Sequence, residues 1–175
     1  MEGSIWIPMV PIAKGRPRLC YGRVLNPSRT VTAESSIKNY VFYHHRDRTV
    51  LKGPVKIELY FFFKGNECHP HIKRPDWDNL AKLVIDALGP QKEPFTKKWI
   101  PGLLFSDDCI ICEAHVYKFY HPDQGIWLKF KTLDPDTIVE HPLHKNTSKP
   151  DLASIIQDCK DRGLTSIPIS LLGRE

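Results

Sequence analysis

Two short stretches of this sequence place carboxylates where they could share a hard cation. The first is Arg74-Pro75-Asp76-Trp77-Asp78-Asn79-Leu80-Ala81-Lys82, with two aspartates two residues apart where a helical pattern begins. The second is Ser106-Asp107-Asp108, directly before an alternating run from Cys109 to Tyr120. Mg²⁺ prefers oxygen donors and is held through one or two carboxylates plus water and substrate phosphate. Lys82 follows Asp78 by one helical turn, so its ammonium could reach the same ion or an anionic substrate. Each stretch also has a plain structural explanation. An Asp at the N-cap or in the first turn stabilises a helix by capping and through the macrodipole. Asp78 and Lys82 have the spacing of a surface ion pair, and acidic pairs are common in turns. In combination the two stretches carry more weight. Carboxylates brought to one edge of a sheet repel one another unless a cation neutralises them. Such a cation activates water and offsets charge on a scissile phosphate.

The elements that must position these residues follow from periodicity. Asp76 to Leu88 reads as a helix with Trp77, Leu80, Ala81, Val84, Ala87 and Leu88 on one stripe. Asp78, Lys82 and Asp86 share the opposite face, Asp76 sits at the N-cap, and Gly89-Pro90 ends the helix. Val55 to Lys64 is a strand rich in β-branched and aromatic residues. Cys109 to Tyr120 and Gly125 to Thr132 read as a hairpin of two strands, with Ile111, Glu113, His115, Tyr117 and Phe119 on one face of the first. Ser4 to Val10 is a first strand that Pro8 places at an edge or ends early. Ser28 to Arg48 is a helix, capped by Ser28 or Thr32, with Ile37, Tyr40, Val41, His44 and His45 near a 3.6 period. Ala13 to Asn26 is a loop or short hairpin, and Asn66 to Arg74 a polar loop. Residues 89–106 form a connection longer than usual for a compact domain. A terminal helix is expected from Asp151 to Arg162. Strands joined by helices indicate an α/β fold: a single domain with a small mixed β-sheet packed against helices. That domain should occupy residues 1–135, with 136–175 as a C-terminal extension.

Composition narrows the classes. The 175 residues carry a formal charge of +5, which permits a polyanionic partner without requiring one. No apolar run approaches the roughly 20 residues of a membrane span, so no membrane role is expected. Met1-Glu2-Gly3-Ser4 does not begin a secretory signal. Five cysteines, an odd number, fit reduced thiols rather than a disulfide framework. Cys109 and Cys112 have zinc-like spacing, but no second pair completes a tetrahedron, and buried thiols are the default expectation. Cations cluster at Lys14, Arg16, Arg18, Arg23 and Arg29, and again at His71, Lys73 and Arg74. Glycine and proline interleave Lys14, Arg16 and Arg18, which suits a loop that offers cations to phosphate. Lys92, Lys97, Lys98 and Trp99 in the long connection are either further DNA contacts or a variable surface loop.

The run Arg74 to Leu88, followed by Asp107-Asp108-Cys109-Ile110-Ile111, resembles the RusA family of Holliday junction resolvases. Pro11-Ile12-Ala13-Lys14-Gly15-Arg16-Pro17-Arg18 is similar to a segment of its phage members, and the resemblance spans roughly residues 5–132. It implies a crossover junction endodeoxyribonuclease of DNA recombination and repair, dependent on Mg²⁺ with Mn²⁺ as a substitute. It implies a homodimer that makes paired nicks in a four-way junction, in the cytoplasm of a bacterial or phage-infected cell. Asp76, Asp78 and Asp108 match the family's metal-binding, catalytic carboxylates, with Asp107 a further metal-ligand candidate. Lys82 matches its essential lysine, Asn79 and Asp86 are supporting positions, and Lys14, Arg16, Arg18, Lys73 and Arg74 are the expected DNA contacts. A protein that binds branched DNA on the same scaffold without cutting it is the alternative. The long connection and the extension depart from the family's minimal pattern.

Overall fold

The computed structural model describes residues 1–45, 49–93, 96 and 98–134. Along the chain these form β1 (Glu2–Ile7), β2 (Arg18–Cys20), β3 (Arg23–Leu25), α1 (Ser28–His44), β4 (Val55–Lys64), β5 (His69–Pro70), α2 (Trp77–Leu88), β6 (Gln91–Lys92), β7 (Trp99–Ile100), a 3-10 turn (Asp108–Ile110), β8 (Ile111–His121) and β9 (Gly125–Thr132). The main sheet has five strands in the order β1-β9-β4-β8-β5. β4 and β8 run parallel, from Val55 opposite Ile111 to Lys64 opposite His121, and the other neighbours are antiparallel. The sheet is therefore mixed, and the domain is α/β.

Alternation along β4 divides the interior. Val55, Ile57, Leu59 and Phe61 are fully buried on one face, against Ala33, Ile37 and Val41 of α1 and Leu80, Leu83, Val84, Ala87 and Leu88 of α2. Tyr60 and Phe62 point to the other face, where they meet Trp127, Phe119 and Cys68. Tyr60 stacks on Tyr117 with centroids 4.7 Å apart. The parallel pair β4–β8 requires a crossover. α2 supplies it and runs back along the helix-covered face, so its first turn lies near the C-terminal end of β4. Its last turn lies near the start of β4 and β8, where Leu104 N–H donates to Leu88 O and Leu51 N–H donates to Leu104 O.

Several elements differ from the sequence reading, each for a local reason. α2 is helical from Trp77, but Trp77 is 60% exposed and Leu83 takes a core position, because the first turn overhangs the sheet. Pro27, not Ser28 or Thr32, occupies the N-cap of α1, and no side chain caps that helix. α1 ends at His44, and residues 46–48 lie outside the described residues. The run from Cys109 opens as a 3-10 turn, and the strand starts at Ile111. Cys20, Cys109 and Cys112 are exposed; Cys68 is buried. The polar loop 66–74 contributes the short β5 to the sheet edge. The long connection folds as the β6–β7 hairpin and then inserts Leu104 and Phe105 into the core. The terminal helix expected at residues 151–162 lies outside the described residues. No helix among the described residues is long and apolar enough to cross a membrane.

Gly102 fixes this return. A Cβ there would stand 2.0 Å from Phe105 O and 2.8 Å from the Gly89 carbonyl carbon, so the backbones would have to separate. Gly102→Ala is expected to cost about 1–3 kcal/mol. In urea unfolding the midpoint should fall while the slope stays unchanged. An unshifted midpoint would show that the connection relaxes freely.

Candidate active site

The first turn of α2 presents the acidic pair to solvent. Asp76 holds the N-cap position with extended backbone, yet its carboxylate makes no capping hydrogen bond. Asp76, Asp78 and Lys82 are all exposed, and none forms an ion pair within the described residues. Neither capping nor an i, i+4 ion pair therefore accounts for these side chains. The approach to the helix is fastened from behind. Lys118 Nζ donates to Lys73 O at 2.9 Å and to Pro75 O at 2.7 Å. His71 is buried between Phe63 and Tyr120, with centroids 4.1 and 4.5 Å away. Burial, and then the nearby Lys118 charge, hold its pKa below the usual histidine value, so it adds no cation here. Lys73 and Arg74 remain exposed beside Asp76.

A cleft of about 600 Å³ opens next to Asp76, walled by Pro11, Pro27 and Phe63 and edged by Arg29, Arg74 and Asn79. The N-terminal loop forms one side of it. Lys14 N–H donates to Asn79 O at 2.9 Å, and Gly15 N–H donates to Thr30 Oγ1 at 2.9 Å. These bonds bring the start of α1, with Arg29, beside the start of α2. Arg29 counts only as part of a basic N-terminal cluster in the sequence, because its nearness to Asp76 depends on a contact between distant segments. The Lys14 ammonium does not face outward. It is 17% exposed and is taken up by Glu34 at 3.1 Å and by Asp86. Asp86 thereby has a structural partner on the α1–α2 seam. Arg16 and Arg18 stay exposed and lead into the β2–β3 hairpin. Tyr21 at the hairpin's tip is fully exposed and adopts φ 47°, in the left-handed region that bulky residues seldom occupy.

The second acidic stretch lies elsewhere. Asp107 caps the 3-10 turn, its Oδ1 accepting from Cys109 N–H at 2.9 Å. Those Cys109 contacts, followed by the Asp108 carboxyl, hold the Asp107 pKa below the usual carboxylate range. Ser106 N–H donates to Leu51 O, which ties this stretch to the N-terminal end of β4 and β8, by the last turn of α2. Asp76 and Asp78 stand at the first turn. Twelve residues of helix separate the two ends, about 18 Å. Two oxygens on one Mg²⁺, each about 2.1 Å from it, lie within roughly 4 Å of each other. One chain therefore does not gather Asp76, Asp78 and Asp108 into a single site. Among the described residues, no three His, Cys, Asp or Glu side chains converge as metal ligands. The first turn of α2 does offer a two-carboxylate donor set of the kind Mg²⁺ accepts alongside phosphate oxygens.

Residues 8–131 match the family model described as endodeoxyribonuclease RusA. Among proteins of curated function, none matches the chain.

The seam beneath the site is testable through Lys14. Burial pulls its pKa down, but the hydrogen bonds and charges of Asp86 and Glu34 outweigh burial, so the folded value is raised. Stability from a raised lysine is complete below the unfolded pKa and is lost as pH rises through the folded one. Lys14→Met should therefore destabilise the protein by about 1.5–3 kcal/mol near neutral pH, as expected for lost hydrogen bonds to charged groups. The gap to the unsubstituted protein should narrow in strongly alkaline buffer. Equal unfolding midpoints at pH 7 would refute the clamp.

Proposed function

The chain belongs to the RusA endodeoxyribonuclease family, and from that premise we propose that it cuts branched DNA by paired, metal-dependent nicks at a four-way junction. The observation that carries this reading is the first turn of α2. Asp76 and Asp78 stand there exposed, without cap or ion pair, beside Arg74, Arg29 and Lys82. Folding does not require two unpartnered carboxylates at that point, whereas phosphodiester hydrolysis has a use for them. Mg²⁺, or Mn²⁺ in its place, would supply a lowered water pKa and positive charge against the phosphate. Asp76 and Asp78 are the residues that would hold it. Lys82, one turn along the same face, is placed to stabilise negative charge developing on the phosphate. Arg16, Arg18, Arg29, Lys73 and Arg74 would bind the flanking backbone. Two symmetric cuts call for two sites related by a two-fold axis, hence a homodimer. The setting would be recombination and repair in the cytoplasm of a bacterial or phage-infected cell.

The test compares a mobile four-way junction with linear duplex of the same sequence, with Mg²⁺ or with chelator. Paired nicks on the junction alone, abolished by chelator, are expected. Equal cutting of duplex would remove the structure selectivity, and binding without cutting in Mg²⁺ or Mn²⁺ would favour a non-cleaving junction binder. Asp78→Asn should abolish cutting while keeping or tightening DNA binding, since it removes negative charge facing phosphate. Lys82→Ala should slow cutting by roughly 10²–10³-fold.

A further inference from the structure

We propose that the face of the main sheet turned away from α1 and α2 is covered by the chain's own C-terminal segment, with the amphipathic stretch of residues 151–162 lying across its aromatic row. The inference stands apart from the nuclease reading, since the acidic turn belongs to the helix layer on the other face. Strand register lines up Trp6, Trp127, Tyr60 and Tyr117 in one row across β1, β9, β4 and β8. Phe62 and Phe119 form the next row, and the Trp6 indole folds over Gly125, where a Cβ would stand 2.3 Å from the ring. Tyr60 is 3% exposed, Phe62 2% and Trp127 1%. Rings set side by side on a sheet screen one another's edges and not their outer faces. Rings in the middle of the row therefore reach such values only beneath a second layer. These values belong to a single chain, so no partner supplies the cover. Within the described residues the layer is incomplete. Lys129 Nζ stands 4.2 Å over the Trp127 ring and Cys68 packs in the cluster, but no member of the cluster comes from a described helix. Outside the described residues, only 135–175 is long enough to form a layer.

The place where the described chain ends favours the same assignment. Leu133 N–H donates to Pro54 O at 2.8 Å, and Leu133 lines, with Lys56, Glu58, Glu113 and Lys129, a depression of about 820 Å³. Lys56 and Glu58 alternate onto the same face of β4 as Tyr60, so the chain leaves at the rim of the surface to be covered. From Val55, beside this exit, to Tyr60 is about 17 Å along the strand. Residues 135–150 can span up to about 50 Å, which is ample. In residues 151–162, Leu152, Ile155, Ile156 and Cys159 share one helical stripe, with Ser154 and Asp161 on the opposite side. A helix of that length would span about 18 Å. The aromatic row crosses four strands, about 14 Å between the outer two. An apolar stripe of four side chains thus meets a row of four rings of similar length.

The test uses the full chain. p-Benzoylphenylalanine is placed at position 155, on the stripe, or at position 154, on the opposite side, and cross-links formed on irradiation are mapped by mass spectrometry. Position 155 should cross-link within one chain to peptides containing Tyr60, Tyr117 or Trp127, in clear excess over position 154. Cross-links from position 155 to α1 or α2, cross-links to a second chain, or equal yields from the two positions would overturn the proposal. The unsubstituted chain gives a second reading that does not depend on a variant folding. Cys159 should be alkylated by iodoacetamide at least about tenfold more slowly than in a synthetic peptide of residues 148–165, because a docked segment reacts only through its open state. The protection should not change on dilution. Alkylation as fast as in the peptide, or protection that is lost on dilution, would mean that the segment is undocked or held by another copy, and either result overturns the assignment.

Discussion

The parallel pairing of β4 with β8 is the constraint from which the rest of the molecule follows. Their register extends from Val55 opposite Ile111 to Lys64 opposite His121, so the chain leaving one end of β4 must return to the other end before β8 begins. A parallel connection of this kind carries a helix over one face of the sheet. α2 is that helix, and its direction is set by the crossover rather than by its own sequence. Its first turn has to emerge at the C-terminal edge of the sheet, and the segment entering β8 has to start at the opposite edge. The separation of Asp76 and Asp78 from Asp107 and Asp108 is thus built into the topology, and no local rearrangement would remove it.

Holding α2 against the sheet falls to contacts that leave the acidic turn free. Leu80, Leu83, Val84, Ala87 and Leu88 are buried against β4 and α1, which anchors the middle and end of the helix. Lys14 spans the seam to Asp86 and Glu34, and its own N–H secures Asn79 O. Asp76 and Asp78 carry none of this load, and because they are exposed their charges remain hydrated. The positive end of the helix dipole also favours carboxylates at that position. A protein can therefore hold two unpaired carboxylates ready for a cation at little cost in stability, provided they sit on the first turn of a helix anchored by its other residues.

How much of this was legible in the sequence depended on the range of the interaction involved. β4 was readable to the residue, because six of the ten residues after Gly53-Pro54 are β-branched or aromatic and specify a strand locally. The end of α2 was equally clear at Gly89. Trp77 was misplaced because it falls on the apolar stripe, and only the overhang of the first turn past the sheet exposes it. The two-residue strands β5, β6 and β7 carry no periodic signal and exist through their partners. The capping explanation for acidic residues turned out to describe Asp107, whose carboxylate accepts Cys109 N–H, rather than Asp76. Spacing alone suggested that the two acidic stretches meet at one edge. The strand direction that separates them is a property of pairing between distant segments, which no window of sequence contains.

The charge distribution around the acidic turn suits the polyanionic substrate proposed for it. Between Lys14 and Ala33 the chain has five cations and no acidic residue, and the first acid after it, Glu34, is engaged by Lys14. Carboxylates facing DNA would repel it, since phosphate binding is governed by the local balance of charge. Here Arg29 and Arg74 edge the cleft beside Asp76, Lys73 and Lys82 flank the acidic pair in sequence, and Arg16 and Arg18 extend from a loop bonded to Asn79. Cations from three segments border the turn that carries the acids, so a backbone drawn to them is drawn toward the carboxylates as well. A cation bound at Asp76 and Asp78 would turn the remaining local repulsion into attraction. On the proposed reading, metal and DNA would each strengthen the binding of the other, as linkage requires of two ligands whose charges are opposite at one site.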